Sequence, residues 1–425
     1  MAEYDSYIDS QIPYVGAIPS HWKTAPNKRV MHKEKRICDS YAGQDIISLT
    51  MKGAIVRDLG AGGKMPTTFD GYQFVYPGEL LMCLFDIDVT PRCVGRVYNE
   101  GLTSPAYSSF VLHDNADLGY FFYYYLMLDH TKELLHLAKN LRHSLTEEQL
   151  GQIKVPLPPL EEQAAIATYL DRETERIDAI IAEAKASIEE YKEWKASIIY
   201  EAVTKGLDPN VEMKDSGVEW IGSIPSTWYI RKIKNVATTG SGGTPKSDIR
   251  EYYDGGINWV CSLDLHEQSI FETKNTLSEL GLKNCASEIR PAGTVVMAMY
   301  GGSGTIGKSG LLKNPSATNQ AICCIMFGDK IVPDFGFYYI RAIRPYWMIY
   351  AVGTRKDPNI SQAVVAEMPI TIPAVSEQKS IVQYLDKNVT IIESLIAEKE
   401  TLVAELESYK KSLIFEVVTG KRKVV

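Results

Sequence analysis

The chain has 425 residues, 45% of them hydrophobic and 23% charged, with a formal net charge of −8. That length supports two or three domains, no apolar run approaches the roughly 18 residues of a membrane span, and the acidic, tyrosine-rich start is not a secretory leader. The seven cysteines never fall as Cys-x-x-Cys or beside paired histidines, so reduced, buried thiols of a cytoplasmic protein are expected, with no metal and no cofactor.

The charge is uneven. Residues 1–155 carry 15 basic and 18 acidic side chains and residues 156–207 carry 6 and 11, whereas 208–370 balance at 16 and 16 and 371–425 at 8 and 8. Net charge governs long-range steering, but phosphate affinity depends on local clusters. The acidity therefore weighs against nucleic-acid binding without excluding it.

In chain order, Asp9-Ser10 precedes Gly16-Ala17-Ile18-Pro19-Ser20-His21-Trp22. A mixed region follows, with strands expected at 45–49, 79–85 and 107–112, and one aromatic helix near 119–136. A basic loop at Arg142-His143 leads to Thr146 and Gln149 in capping-box spacing, and then to a proline stop before Leu160. From Glu161 to Thr204 there is no glycine or proline. The seam Leu170, Thr174, Ile177, Ile181, Ala184, Ile188, Tyr191, Lys195, Ile198, Ala202 steps by four and three, the heptad repeat of a helix buried along one stripe. A rod of roughly 65 Å needs a partner helix.

The partner lies in the same chain. Adding 215 gives Leu385, Val389, Ile392, Ile396, Lys399, Val403, Leu406, Lys410, Leu413 and Val417. Glu162-Gln163 returns as Glu377-Gln378, and Tyr169-Leu170-Asp171 as Tyr384-Leu385-Asp386. The opening returns at an offset of 206, as Asp215-Ser216 and Gly222-Ser223-Ile224-Pro225-Ser226-Thr227-Trp228. The second mixed region has strands expected at 257–261, 294–299 and 320–327, an aromatic helix near 335–343, and a basic loop at Arg355-Lys356. Phe122-Tyr123-Tyr124 matches Phe337-Tyr338-Tyr339. A period of this size marks a duplicated unit. Ile180, Ile199, Leu395 and Ile414 lie beside the seam and widen the apolar stripe, as a face that docks partners would.

Gly302-Ser303-Gly304-Thr305-Ile306-Gly307-Lys308-Ser309 satisfies the phosphate-loop pattern, but a real phosphate loop opens a helix. Here Gly310-Leu311-Leu312-Lys313-Asn314-Pro315 follows, so nucleotide binding is not expected. At an offset of 212 the first half has Gly95-Arg96 in place of Gly307-Lys308. No methyltransferase, dinucleotide, zinc-protease or serine-nucleophile motif is present, and the chain is read as non-catalytic.

The duplicated order of these features resembles the DNA-specificity subunit of type I restriction–modification systems. The resemblance rests on the two Gly-x-Ile-Pro-x-x-Trp openings, Ser241-Gly242-Gly243-Thr244-Pro245-Lys246, the turn 304–308 with Thr318-Asn319-Gln320, and the helix starts at 156–163 and 372–378. The first half lacks the Ser-Gly-Gly-Thr-Pro-Lys turn. The resemblance implies an α+β multidomain chain: target-recognition domains at 1–155 and 208–370, and spacer helices at 156–207 and 371–425. These helices would pair as an antiparallel coiled coil about an internal pseudo-two-fold. It further implies a double-stranded DNA site split by an unread gap, two modification (methyltransferase) subunits docked on the helices, and a restriction subunit joined through them.

Base reading uses Arg or Lys for guanine and Asn or Gln for adenine. The candidates are Arg57, Lys64, Arg92, Arg96 and Arg142 in the first half, and Lys246, Arg250, Lys308, Asn319, Gln320, Arg355 and Lys356 in the second. Each also reads as an ordinary solvated side chain. The rival reading is a coiled-coil protein-binding scaffold without DNA contact. It accounts for the helices and the acidity, but not for duplicated basic loops.

Overall fold

The computed structural model describes residues 3–61, 66–90, 92–138, 143–301, 304–354 and 357–424. The chain divides into two compact units: Met1–Lys185 with Glu400–Val425, and Ala186–Lys399. The two long helices, Leu160–Lys205 and Val375–Val418, each contribute a segment to both units.

Unit 1 holds an antiparallel sheet in the order Met31–Glu34, Tyr107–Leu112, Leu80–Cys83, Val94–Arg96. Alternation along the central strand sends Leu80 and Met82 to the main core with Phe121 and Tyr124, and Leu81 to a second core with Ile47 and Val97. The strand is therefore buried on both faces, by the aromatic helix on one and the hairpin Ile47–Thr50/Gly53–Val56 on the other.

Unit 2 repeats the plan. Its sheet runs Ala237–Ser241, Ile322–Phe327, Val295–Ala298, Ser309–Leu312, Gln268–Ile270, with only the last pair parallel. Val295 and Met297 face Phe335 and Tyr339, whereas Val296 and Ala298 face Val260, Leu265 and Ile270. Strands expected at 107–112 and 320–327 are observed as Tyr107–Leu112 and Ile322–Phe327. Short strands such as Met31–Glu34 and Val94–Arg96 carry too few residues for a readable period. The expected helix 119–136 breaks after His130, because Lys132 adopts a left-handed conformation (φ 57°), and resumes as Glu133–Leu137.

The helix starts explain why their motifs recur. The fully buried Gln163 carboxamide accepts from Asp117 N (2.8 Å) and donates to Asn115 O (3.1 Å) and Pro158 O (2.8 Å). Gln378 does the same with Val332 N (2.8 Å), Lys330 O (2.8 Å) and Pro373 O (2.9 Å). One side chain thus satisfies three main-chain groups at the point where helix, proline stop and sheet-covering helix meet. The Tyr123 hydroxyl donates to Asp171 (2.8 Å), and Tyr338 to Asp386 (2.7 Å). Glu162 is held by Tyr4 and by His21 (2.8 Å), whereas Glu377 takes the Trp228 indole (3.0 Å). At the far helix ends, Gly206 (φ 78°) abuts Trp228 and Gly420 (φ 70°) abuts Trp22, glycines at left-handed C-caps packed on the tryptophan of each opening motif.

Every heptad-seam residue named above is buried or half-buried. In unit 1, Ile177, Ile181 and Ala184 share a core with Val403 and Leu406, flanked by Lys185–Glu407 (3.1 Å) and Lys410–Asp178 (2.6 Å) pairs. In unit 2, Ile188, Tyr191 and Ile198 cluster with Ile392 and Ile396 beside the Lys195–Glu393 pair (3.2 Å). The expected docking stripe is narrower than its sequence suggests. Ile199 and Ile414 are sealed in the main cores of their own units, leaving Ile180 exposed and Leu395 half-buried.

Candidate nucleic-acid interface

Two motifs of unit 2 that are distant in sequence, 241–246 and 318–320, meet in space. Gly242 lies so close to Thr318 that a Cβ would sit 1.8 Å from its carbonyl oxygen, so only glycine fits. Gly243 N donates to Thr318 O (3.0 Å), the Trp259 indole donates to Gly243 O (3.2 Å), and the Thr244 hydroxyl donates to the Gln320 side-chain carbonyl. Strand Tyr253–Val260 runs parallel to Ala317–Thr318, and Asn319 N donates to Val260 O (3.0 Å). Asn319 Oδ1 accepts from Ala321 N (3.0 Å), and its amino group has no hydrogen-bond partner among the described residues.

The other loops leave the same end of the sheet. Ala298 N donates to Lys308 O (2.9 Å), Met299 N to Ala321 O (2.8 Å), and Ile360 N to Met299 O (2.8 Å). The turn 304–308, the loop 318–321 and the segment before Ile360 therefore all flank the C-terminal end of strand Val295–Ala298. Lys246 and Arg250 are exposed and Lys308 is half-exposed; none of the three side chains has a partner among the described residues. Arg355 and Lys356 lie outside the described residues, between the paired strands Val352–Thr354 and Asp357–Asn359. The phosphate-loop reading fails on geometry, because Lys308 leads into strand Ser309–Leu312 where a helix N-terminus would be required.

In unit 1 the equivalent loops hang from equivalent bonds. Cys83 N donates to Cys93 O (2.9 Å) and Leu145 N to Leu84 O (2.8 Å), each residue 215 below its counterpart. This corrects the register expected from sequence. The counterpart of Lys308 is the buried Cys93, and that of Arg96 is the buried Leu311. Arg96 is held by both oxygens of Asp171 (2.9 and 3.0 Å) and lies over the Phe122 ring (4.4 Å), with its side chain only 10% exposed. Arg92 donates to Met51 O (2.6 Å) and Val94 O (3.0 Å). Arg57 is half-buried beyond strand Gly53–Val56. Lys64 and Arg142 lie outside the described residues. Arg290, not among the sequence candidates, pairs with Glu288 (2.9 Å) and packs against Gly240, where a Cβ would meet its guanidinium at 2.8 Å. Its only sequence signal is the following Pro291.

No helix among the described residues is long and apolar enough to cross a membrane. The sequence matches the family described as the type I restriction modification DNA specificity domain over residues 93–190 and 225–404, well over half of the chain. It is 29% identical over 280 residues to the MjaVIII specificity subunit of Methanocaldococcus jannaschii, covering 64% of this chain and 63% of that protein. It is 28% identical over 186 residues to the MjaIX specificity subunit of the same organism, covering 43% of this chain and 42% of that protein. These matched stretches span less than two thirds of either relative. Among solved structures, a chain from work on complex assembly and conformational transition of the type I R-M system superposes with a TM-score of 0.72 at 15% identity, covering 94% of this chain and 98% of that one. The HsdS subunit from Thermoanaerobacter tengcongensis gives 0.51 at 15% identity, covering 95% and 98%. At that identity these structures show a shared fold alone. A duplicated frame with matching loop ends, together with the family match across both halves, places the chain in the family of type I restriction–modification DNA specificity domains.

Proposed function

We propose that the chain is the non-catalytic, sequence-specific DNA-binding subunit of a type I restriction–modification complex. Residues 1–155 and 208–370 each read one half of a split duplex site. Helices 156–207 and 371–425 pair as an antiparallel coiled coil that spaces them about a pseudo-two-fold. The helices dock two modification (methyltransferase) subunits, through which a restriction subunit joins. The observation that carries this reading is the loop cluster at one sheet end of each unit, hung from the same hydrogen bonds but built of different residues. Two readers on one frame suit two different half-sites, with spacing set by the protein. A scaffold without DNA contact offers no reason for Lys246, Arg250 and Lys308 to stand unpaired around one such cluster.

The test is to co-express the chain with a modification partner and map the methylated adenines. A split motif with a fixed gap is expected. One heptad inserted after Ala184 and one after Leu406, residues level with the Lys185–Glu407 pair, keeps the seam in phase. Such an insertion lengthens the spacer by roughly 10 Å, or about three base pairs. Unchanged half-sites with a longer gap support the spacer; a folded variant that keeps the original gap refutes it. A complex that neither binds nor modifies duplex DNA refutes the specificity role.

A further inference from the structure

Leu263 is 87% exposed, more than any other large hydrophobic side chain among the described residues. It stands at the middle of the 3-10 turn Ser262–Asp264, directly after the strand whose Val260 carbonyl takes the Asn319 amide. The turn is fixed from both sides. Asp264 Oδ2 accepts from Cys261 N (2.8 Å), Cys261 O accepts from Asp264 N (3.0 Å), and Leu265 is 1% exposed in the core beneath the sheet. The chain therefore buries Leu265 and holds Leu263 out as a rigid apolar knob.

Its surroundings narrow the occupant. Ser262 and Asp264 beside it are polar, and Asn319 and Gln320 present carboxamides in the same loop cluster. A protein-docking patch would be contiguously apolar, whereas this knob is flanked along the chain by Ser262 and Asp264. In the major groove an A·T pair offers adenine N6 and N7 to a carboxamide and the thymine C5-methyl to an apolar side chain. We infer that unit 2 reads an A·T pair in its half-site, with Asn319 or Gln320 on adenine and Leu263 against the thymine methyl. This rests on the DNA-reading role proposed above. It adds a specificity residue and the base pair that the residue selects.

The experiment uses the full chain in complex with its modification partner and duplexes carrying the mapped site. Each thymine of both half-sites is replaced in turn by deoxyuridine, which removes the methyl group and keeps the pairing. The parent is expected to lose roughly fourfold in affinity at one thymine of the unit 2 half-site, the worth of one buried methyl group. Leu263→Ala should lose a similar factor on unmodified DNA and show no further loss at that thymine. Its sensitivity in the other half-site should match the parent, which shows the variant folded and bound. If Leu263→Ala binds as the parent does, or keeps the parent's uracil profile at every position, the inference is overturned while the DNA-reading role stands. A parent complex that binds no duplex overturns both.

Discussion

The two units share one frame and differ at the positions that leave it. Gln163 and Gln378, Tyr123 and Tyr338, and Asp171 and Asp386 make the same bonds 215 residues apart. At the sheet end the correspondence turns to contrast: Cys93 against Lys308, and Ser104-Pro105 against Asn319-Gln320 after the matching buried threonines Thr103 and Thr318. Shared main-chain hydrogen bonds with substituted side chains let one scaffold carry two loop chemistries, because these bonds do not depend on the side chains of the loops.

The largest expected effect tests the frame. Gln378→Ala strands Val332 N, Lys330 O and Pro373 O in a buried site, at a cost of about 3 kcal/mol. Hydrogen exchange should report the loss in residues 375–399, and Gln163→Ala should produce an equal loss in 160–185. Clearly unequal losses would break the equivalence of the two units.

Next comes Arg96→Ala, which removes the guanidinium paired with Asp171 and should destabilise unit 1 by about 2 kcal/mol while leaving the salt slope of DNA binding unchanged. A lower salt slope would place Arg96 among the DNA contacts. This residue shows where sequence reading stops. Its basic character and glycine-rich context suggested a loop, but its partner Asp171 lies 75 residues on and only the fold joins them. The seam and the helix starts were legible because their period or duplication is local. The pairing of Gly242 with Thr318 was not, since it depends on which strands become neighbours. The offset of 212 misled for the same reason: it aligned glycines, whereas the sheets align at 215.

A smaller effect separates the units by pH. Burial, opposed by Asp129 and reinforced by Lys411, Arg92 and Lys410, pushes the His130 imidazole down to about 4. The unfolded chain then binds the extra proton, so this contribution is whole above the ordinary value near 6.5 and is lost as pH falls toward 4. Discounted for partial exposure, it amounts to about 1 kcal/mol between pH 7.5 and 5.5. The counterpart in unit 2 is Pro345, which does not titrate. Hydrogen exchange at the two pH values should show the added loss in unit 1, and His130→Asn should abolish it. A loss that survives the substitution would assign it to other groups.

The smallest expected change is in Lys308→Ala. Stability should move by less than about 0.5 kcal/mol, as for a surface substitution, while the salt slope of DNA binding falls by roughly one. An unchanged slope makes Lys308 a bystander.

Unit 1 draws its closing helix segment from Glu400–Val425, whereas unit 2 is a single run from Ala186 to Lys399. On the ribosome, then, the second copy of the repeat completes its core first. The first copy waits through more than two hundred residues of synthesis before the Val418 carbonyl can take the Tyr120 hydroxyl (2.9 Å) and Gly420 can cover Trp22. During that interval the aromatic core of unit 1 lacks one wall. A message cut short after Lys399 would therefore damage the part of the protein made earliest, and spare the part made just before the break.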